Sequence, residues 1–150
     1  MSRPAEKNIE ETMAEIAADL QDFEQWQDRY RYIIDQGHEL PPYPERYRNE
    51  EHKVSGCVSQ VWLRATEKDN RVYFEADSDA AITKGLIALL VRVYSGRTPR
   101  EIVDHPPRFL TETGITSHLS PNRANGLTSI VRQMMAYGVA FGASHHLVHH

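Results

Sequence analysis

The spacing of apolar residues predicts two helices at the start of the chain. Between residues 4 and 20, apolar side chains recur every three or four positions, the spacing of one helix face. A second stripe follows, and Asp22 and Gly37 are residue types that commonly begin and end a helix. Its members are Phe23, Trp26, Tyr30, Ile33 and Ile34. We expect both stripes to face a hydrophobic core.

The middle of the chain predicts an extended connector followed by a β-hairpin. Three prolines lie within residues 40–46, and proline lacks the N–H group that helices and central strands require. Residues 60–66 and 71–76 are rich in β-branched and aromatic side chains, and the four residues between them are polar and turn-like. We therefore expect the connector to cross the surface toward an antiparallel pair of strands.

A nearly all-apolar helix is predicted after the hairpin. Asp77, Ser78 and Asp79 are candidate N-caps for it, and Gly96 is its predicted end. Because apolar residues occur on every side of this helix, it should be buried against the sheet. Gly85 lies within it, which indicates close packing at that point.

Two further helices are predicted from their first residues. Thr98-Pro99-Arg100-Glu101 is a capping box with proline at the first helical position. Ser120-Pro121 begins the last helix, and Gly138 is its predicted end. We expect one domain over residues 1–138 and a histidine-rich tail over residues 139–150. Such a tail is typical of a mobile terminus, and metal binding by its imidazoles is the alternative.

Composition and charge favour a globular protein of the cytoplasm. The 150 residues are 40% hydrophobic and 25% charged. A net charge of −4 argues against a nucleic-acid surface. No apolar run approaches the roughly 20 residues that cross a bilayer, and the first residues lack the layout of a signal peptide. A single cysteine without an export signal indicates a reducing compartment.

The only cysteine, Cys57, lies in residues 54–63, where a polar loop runs into an apolar strand. A lone cysteine forms no internal disulfide, so it is either a small core residue or a reactive group. Gly56 permits a tight turn before it, and the polar neighbours make a poor core, which favours the reactive interpretation. Three histidines are candidate bases for a cysteine hydrolase, but none has a distinctive spacing. They are His52, His105 and His118.

Arg123 is the second candidate for a functional residue. Pro121 places it in the first turn of the last helix, where the helix dipole disfavours a cation. It is therefore either solvated or positioned for an anion, such as a thiolate or a persulfide. A nearby cation lowers the pKa of a cysteine.

At these positions the sequence resembles the SufE family of sulfur acceptors, which includes the CsdE-type proteins. The similar segments follow the family's order over roughly residues 9–137. They are Leu40-Pro41-Pro42 with Pro44-Glu45, residues 54–63, Asp77-Ser78-Asp79-Ala80-Ala81-Ile82, Lys84-Gly85-Leu86-Ile87-Ala88, Thr98-Pro99, His118-Leu119-Ser120-Pro121, and Arg123 with Asn125-Gly126-Leu127.

The resemblance implies an α+β fold, in which a curved antiparallel sheet packs against helices, as in scaffold proteins of the IscU type. It also implies a partner, a pyridoxal-phosphate-dependent cysteine desulfurase of the SufS or CsdA kind. An iron–sulfur scaffold or another sulfur acceptor would be the downstream recipient. The pyridoxal phosphate would belong to the desulfurase, so no cofactor or metal is expected in this chain. A homodimer is also compatible with the sequence.

Three residue roles carry over from the resemblance. Cys57 matches the sulfur-accepting cysteine, and Arg123 matches an arginine at the partner interface or near the transferred sulfur. Asp79 matches an acidic position beside the cysteine loop. The resulting hypothesis is a sulfur relay through Cys57 rather than a stand-alone enzyme, in which the site lowers the pKa of the thiol by itself or upon docking.

Three alternatives to the relay remain. A cysteine hydrolase needs a histidine within hydrogen-bond reach of Cys57. An interaction module would use this cysteine only for packing. A scaffold that builds clusters itself would need several thiolates, and the chain has one cysteine.

Overall fold

The fold combines helices with one antiparallel hairpin. The structure, a computed structural model, describes residues 7–148, with side chains through residue 143. Its elements in chain order are α1 (Ile9–Gln21), α2 (Trp26–Gly37), β1 (Val61–Lys68), β2 (Arg71–Ser78), α3 (Ala81–Tyr94), α4 (Pro99–Asp104), the one-turn helices α5 (Phe109–Glu112) and α6 (Ile115–His118), and α7 (Pro121–Val148). The connector between α2 and β1 contains two short 3-10 helices, Glu45–Tyr47 and Glu50–His52.

The predicted hairpin is confirmed, and both strands continue beyond their predicted ends. Strands β1 and β2 pair in antiparallel register from Val61 opposite Ser78 to Lys68 opposite Arg71. Asp69 and Asn70 form the turn, with φ angles of 53° and 61°. These side chains tolerate the left-handed conformation that a two-residue hairpin turn requires. The α+β class expected from the sequence is thus correct, with two strands in the part of the chain described.

Helix α3 is the buried centre of the fold, as its apolar sequence predicted. It packs against α2, β2, α1 and α7. Gly85 marks its closest approach to a neighbour, since a Cβ added there would overlap the carbonyl oxygen of Ile33 in α2. The two helix backbones are in direct contact at this point, which confirms the close packing expected at Gly85.

The proline-rich connector is held against the hairpin by one arginine. The Arg48 guanidinium forms an ion pair with Asp77, with 2.9 Å between Nη1 and Oδ2. The same guanidinium lies over the Trp62 ring at 4.7 Å from its centroid. Lys53 then pairs with Trp62 through a β-bridge. These contacts lead the connector along the outside of the hairpin to the start of the Cys57 loop, as expected.

The beginnings of α1 and α2 differ from the prediction. Asn8 and Glu11 form a capping box, so α1 begins at Ile9, while the predicted start at residue 4 lies outside the described residues. Asp22 ends α1 instead of beginning α2. Helix α2 begins at Trp26, so Phe23 precedes it and is exposed. Ile33 is fully buried, and Trp26 and Tyr30 pack against the core as expected, whereas Ile34 is only partly buried.

One predicted helix start is wrong and another is confirmed. The N-cap of α3 is Ala80, without a side-chain cap, because the carboxylates of Asp77 and Asp79 bond elsewhere. The capping box of Thr98 and Glu101 is present at the start of α4.

Helix α7 does not end at Gly138. It continues to Val148, because Gly138 lies against α4, where an added Cβ would be 3.1 Å from Ile102. The first residues of the predicted tail therefore extend this helix, and the imidazoles of the tail lie outside the described side chains. Although α7 has 28 residues, no helix within residues 7–148 combines the length and apolarity needed to cross a membrane.

We predict that Gly85→Ala destabilises the protein although alanine is the better helix former. The added methyl group would overlap the Ile33 carbonyl, so the free energy of unfolding should fall by about 1–3 kcal/mol. Gly142→Ala is the matched control, because its added Cβ would meet Pro99 at an acceptable 3.4 Å. Urea unfolding measures the free energy of unfolding of both variants. Equal or increased stability of Gly85→Ala would contradict the backbone contact.

Candidate functional site

The loop of residues 55–60 is closed at its base by the backbone. The N–H of Val54 donates to the carbonyl of Val61 at 2.9 Å. Gly56 turns the loop with a φ of +86°, and a Cβ there would lie 2.6 Å from Ser129 Oγ. The backbone conformation therefore requires glycine, and an added Cβ would also displace the Ser129 hydroxyl, which confirms the predicted tight turn.

Asp79 fixes the end of this loop where β1 begins. Its Oδ1 accepts a hydrogen bond from the N–H of Gln60 at 3.0 Å, and its own N–H donates to the Gln60 carbonyl at 3.3 Å. The residue lies at the base of the loop and is exposed. It is therefore close to the cysteine loop, as the resemblance implied, but it does not line the pocket around Cys57.

The Cys57 thiol is half-buried against α7. Its Sγ donates to the carbonyl oxygen of Gly126 at 3.6 Å. Burial raises the pKa of the Cys57 thiol. A carbonyl oxygen accepts from a thiol but offers no stabilisation to a thiolate, so both effects favour the protonated form. The expectation that the site lowers the thiol pKa by itself is therefore wrong for the free protein.

A small cavity adjoins the thiol. Its volume is about 20 Å³, which is room for one water-sized group. Helix α3 contributes Thr83 and Leu86 to its walls. Helix α7 and the loop contribute the remaining lining residues, which are Val58, Ser59, Asn122, Arg123, Gly126, Leu127 and Ile130. Most of the wall is apolar, so the cavity can hold a polarisable atom beside the thiol with reduced contact with bulk water.

Arg123 is the one charged residue among those lining this pocket. It lies in the first turn of α7, as predicted, and its backbone N–H donates to Ser120 Oγ at 3.3 Å. Its side chain is exposed and forms no ion pair within the described part of the chain. The structure thus brings Cys57 and Arg123 to one pocket and leaves the guanidinium available to an incoming anion.

The three candidate histidines are bound elsewhere. His52 contacts Asn49 at 2.9 Å, and His105 contacts the carbonyl of Glu101 at 2.7 Å. His118 stacks on Trp26 with 3.7 Å between ring centroids. Within residues 7–143, the hydrogen-bond partner of Sγ is the Gly126 carbonyl and not a histidine. Among the described residues, no histidine is therefore placed as the general base that a cysteine hydrolase needs.

Sequence reasoning missed the walls of the pocket. Thr83, Leu86, Leu127 and Ile130 follow ordinary helical periodicity, which does not distinguish a residue that lines a site from one that fills the core. Gly126 carried a usable signal, because it is a glycine inside a helix and such a residue often marks a close contact. A Cβ there would lie 3.6 Å from Sγ.

Comparison with known proteins identifies the class to which this fold and site belong. A sequence model of the SufE family, described as an Fe-S metabolism associated domain, matches residues 14–138. An uncharacterized SufE-like protein of Rhizobium meliloti (strain 1021) is 42% identical over 129 residues, covering 82% of this chain and 91% of that protein. An uncharacterized SufE-like protein of Synechocystis is 42% identical over 113 residues, covering 75% of this chain and 71% of that protein.

A solved structure shares the fold. The solution structure of a hypothetical protein from Thermus thermophilus superposes with a TM-score of 0.74 over 88% of this chain and 96% of that one, at 18% identity. Together with the sequence matches, this confirms the resemblance drawn from the motifs. The chain belongs to the SufE family and carries its iron–sulfur metabolism domain.

We predict slow alkylation of Cys57 in the folded protein. Because burial raises the thiol pKa, less thiolate is present near pH 7, and the midpoint of the iodoacetamide rate profile should shift to higher pH. The same cysteine in urea-unfolded protein is the control and should show an ordinary thiol profile. A folded midpoint below the unfolded one would show that the site activates the thiol by itself.

Proposed function

We propose that this protein accepts sulfur on Cys57 from the persulfide of a cysteine desulfurase and relays it toward iron–sulfur cluster assembly. The observation that carries the proposal is a single thiol on a constrained loop, beside a cavity with room for about one additional atom. Membership in a family associated with iron–sulfur metabolism supports it. The absence of a histidine at Sγ, within the described residues, favours a carrier over a hydrolase.

The transfer is a thiol exchange that needs no external oxidant or reductant. The Cys57 thiolate attacks the outer sulfur of the desulfurase persulfide, so one S–S bond forms as another breaks. The desulfurase cysteine leaves as a thiolate and takes up the proton that Cys57 released. The products are a Cys57 persulfide and a regenerated desulfurase, which then removes sulfur from another cysteine and thereby turns over faster.

The resting position of Cys57 suits protection rather than attack. A persulfide is readily oxidised, and an apolar pocket limits the access of oxidants. Because the protonated thiol is a poor nucleophile, the loop has to turn outward before transfer. Gly56 and the small, exposed Ser55 allow this motion, and the hydrogen bond to Gly126 is weak enough to break.

Arg123 and Asp79 have different roles in this proposal. Arg123 stabilises the anion at the pocket mouth, either the thiolate or the outer sulfur, and it contacts the docked partner. Asp79 is a positioning residue, since it bonds the loop backbone at Gln60 and lies away from the sulfur. It limits how far the loop turns.

The partner supplies the remaining chemistry. A desulfurase of the SufS or CsdA type holds the pyridoxal phosphate that releases sulfur from free cysteine, so this chain needs no cofactor of its own for the exchange. The downstream recipient is an iron–sulfur scaffold or another sulfur acceptor. A reducing cytoplasm suits a carrier that works through one free thiol.

We predict that Cys57→Ser abolishes stimulation of the desulfurase. Serine is similar in size but cannot hold the transferred sulfur, so the fold and partner binding should persist. Mass spectrometry after incubation with a desulfurase and cysteine should find one additional sulfur on Cys57 in the wild type and none in the variant. A serine variant that stimulates fully would refute the relay.

We predict that Arg123→Ala slows sulfur loading with little loss of stability. The side chain is exposed and lacks an ion pair in the described region, so its removal should change the free energy of unfolding by no more than about 0.5 kcal/mol. Arg132→Ala is the control, because Arg132 lies on the same helix and does not line the Cys57 pocket. Single-turnover loading rates separate the two variants. Equal loading rates for Arg123→Ala and Arg132→Ala would show that Arg123 is only a solvated surface residue.

A further inference from the structure

Val58, the residue after Cys57, has the most exposed large hydrophobic side chain in the described part of the chain. It is 80% exposed, and the next most exposed is Val139 at 59%. Single exposed apolar side chains are common on protein surfaces. Val58 differs because it borders the Cys57 pocket, whose walls include Leu86 and Leu127. Exposed and buried apolar surfaces therefore meet at the thiol.

Sulfur transfer carries Val58 toward the partner. The outer sulfur of a persulfide must come within bonding distance of Cys57 Sγ, which rests half-buried against Gly126. When residues 55–60 turn outward, Val58 moves with its neighbour. The leading surface of the loop then includes the Val58 side chain.

The outward motion of residues 55–60 has an unfavourable hydrophobic contribution to its free energy. As Cys57 leaves the pocket, water reaches the apolar walls formed by Leu86, Leu127 and Ile130. Burial of Val58 against another protein removes apolar surface from water at the same moment and offsets that contribution. An exposed valine beside a sheltered thiol is thus suited to couple docking with release of the loop.

We propose that Val58 is the apolar docking contact of the Cys57 loop and that its occupant is the active-site entrance of the cysteine desulfurase. This inference rests on the proposed function and identifies the surface through which it operates. Arg123 lies at the same pocket mouth, so the complementary surface is an apolar recess next to an acidic group. Continuity with Cys57 selects this partner, since the persulfide of the donor must reach the half-buried Sγ itself, whereas a recipient attacks the outer sulfur, one bond farther out.

The test compares Val58→Asn with Val139→Asn. Both variants remove an exposed valine, and Val139 lies about 20 Å along α7 from Gly126 at about 1.5 Å per residue. Titrating each acceptor into a desulfurase gives the half-saturating concentration and the maximal stimulation. Val58→Asn should raise the half-saturating concentration about tenfold, the scale of one valine side chain, and retain the maximum. Val139→Asn should match the wild type in both the half-saturating concentration and the maximal stimulation.

A second measurement separates docking from thiol chemistry. Cysteine persulfide is a small donor that needs no protein interface, so Val58→Asn should slow loading from it much less than loading from the desulfurase. An equal slowing with both donors would mean that Val58 acts on the thiol, and it would overturn the docking role. An unchanged half-saturating concentration in the titration would overturn it as well.

Two controls distinguish the remaining outcomes. Analytical ultracentrifugation of the protein alone should give the same mass for wild type and Val58→Asn. If the wild type is a dimer and Val58→Asn is a monomer, a second copy of this chain occupies the Val58 surface. That result would refute the desulfurase contact. If wild type loads sulfur from the desulfurase while Val58 proves neutral, only this inference fails. If Cys57→Ser still stimulates, the proposed function fails instead.

Discussion

The close contact between α2 and α3 is the constraint on which the rest of the structure depends. Gly85 has no side chain, so α3 approaches the Ile33 carbonyl more closely than any other residue would permit. Helix α3 in turn packs against α1, β2 and α7. Leu86, the residue after this glycine, belongs to the core and also lines the Cys57 pocket. The position of the pocket wall therefore follows from packing of the core, not from the cysteine loop itself.

Desolvation favours the protonated form of the Cys57 thiol. Burial raises the pKa of Cys57, and the Gly126 carbonyl accepts a hydrogen bond that only the protonated form can donate. Arg123 lines the same pocket, and burial nevertheless raises the pKa of the thiol in the free protein. For a carrier this arrangement is useful, because a thiol that is unreactive until it is displaced is also resistant to oxidation. In the proposed relay, docking of the partner favours the displacement, which makes exchange faster in the docked complex than with a free donor.

Local sequence patterns predicted the elements well and their boundaries less well. The Thr98 capping box and the hairpin depend on residues close in sequence, and both are present. Gly138 and Asp79 were misassigned because their roles depend on distant partners. Gly138 continues a helix since it packs against Ile102, and Asp79 bonds Gln60 on the other side of the hairpin instead of capping α3. Residue type alone does not identify which partner is present.

The sequence by itself identified the candidate sulfur acceptor and determined the family. One cysteine after a glycine, together with segments shared with SufE proteins, led to Cys57 and Arg123, and helical periodicity located the buried helix α3. Only the tertiary structure decided the environment of the thiol, whose acceptor is 69 residues away in the chain. It also decided that Cys57 is sheltered while Val58 is exposed. The reason is physical: periodicity reports the geometry of one element, whereas solvation and pKa depend on every element that packs around a group.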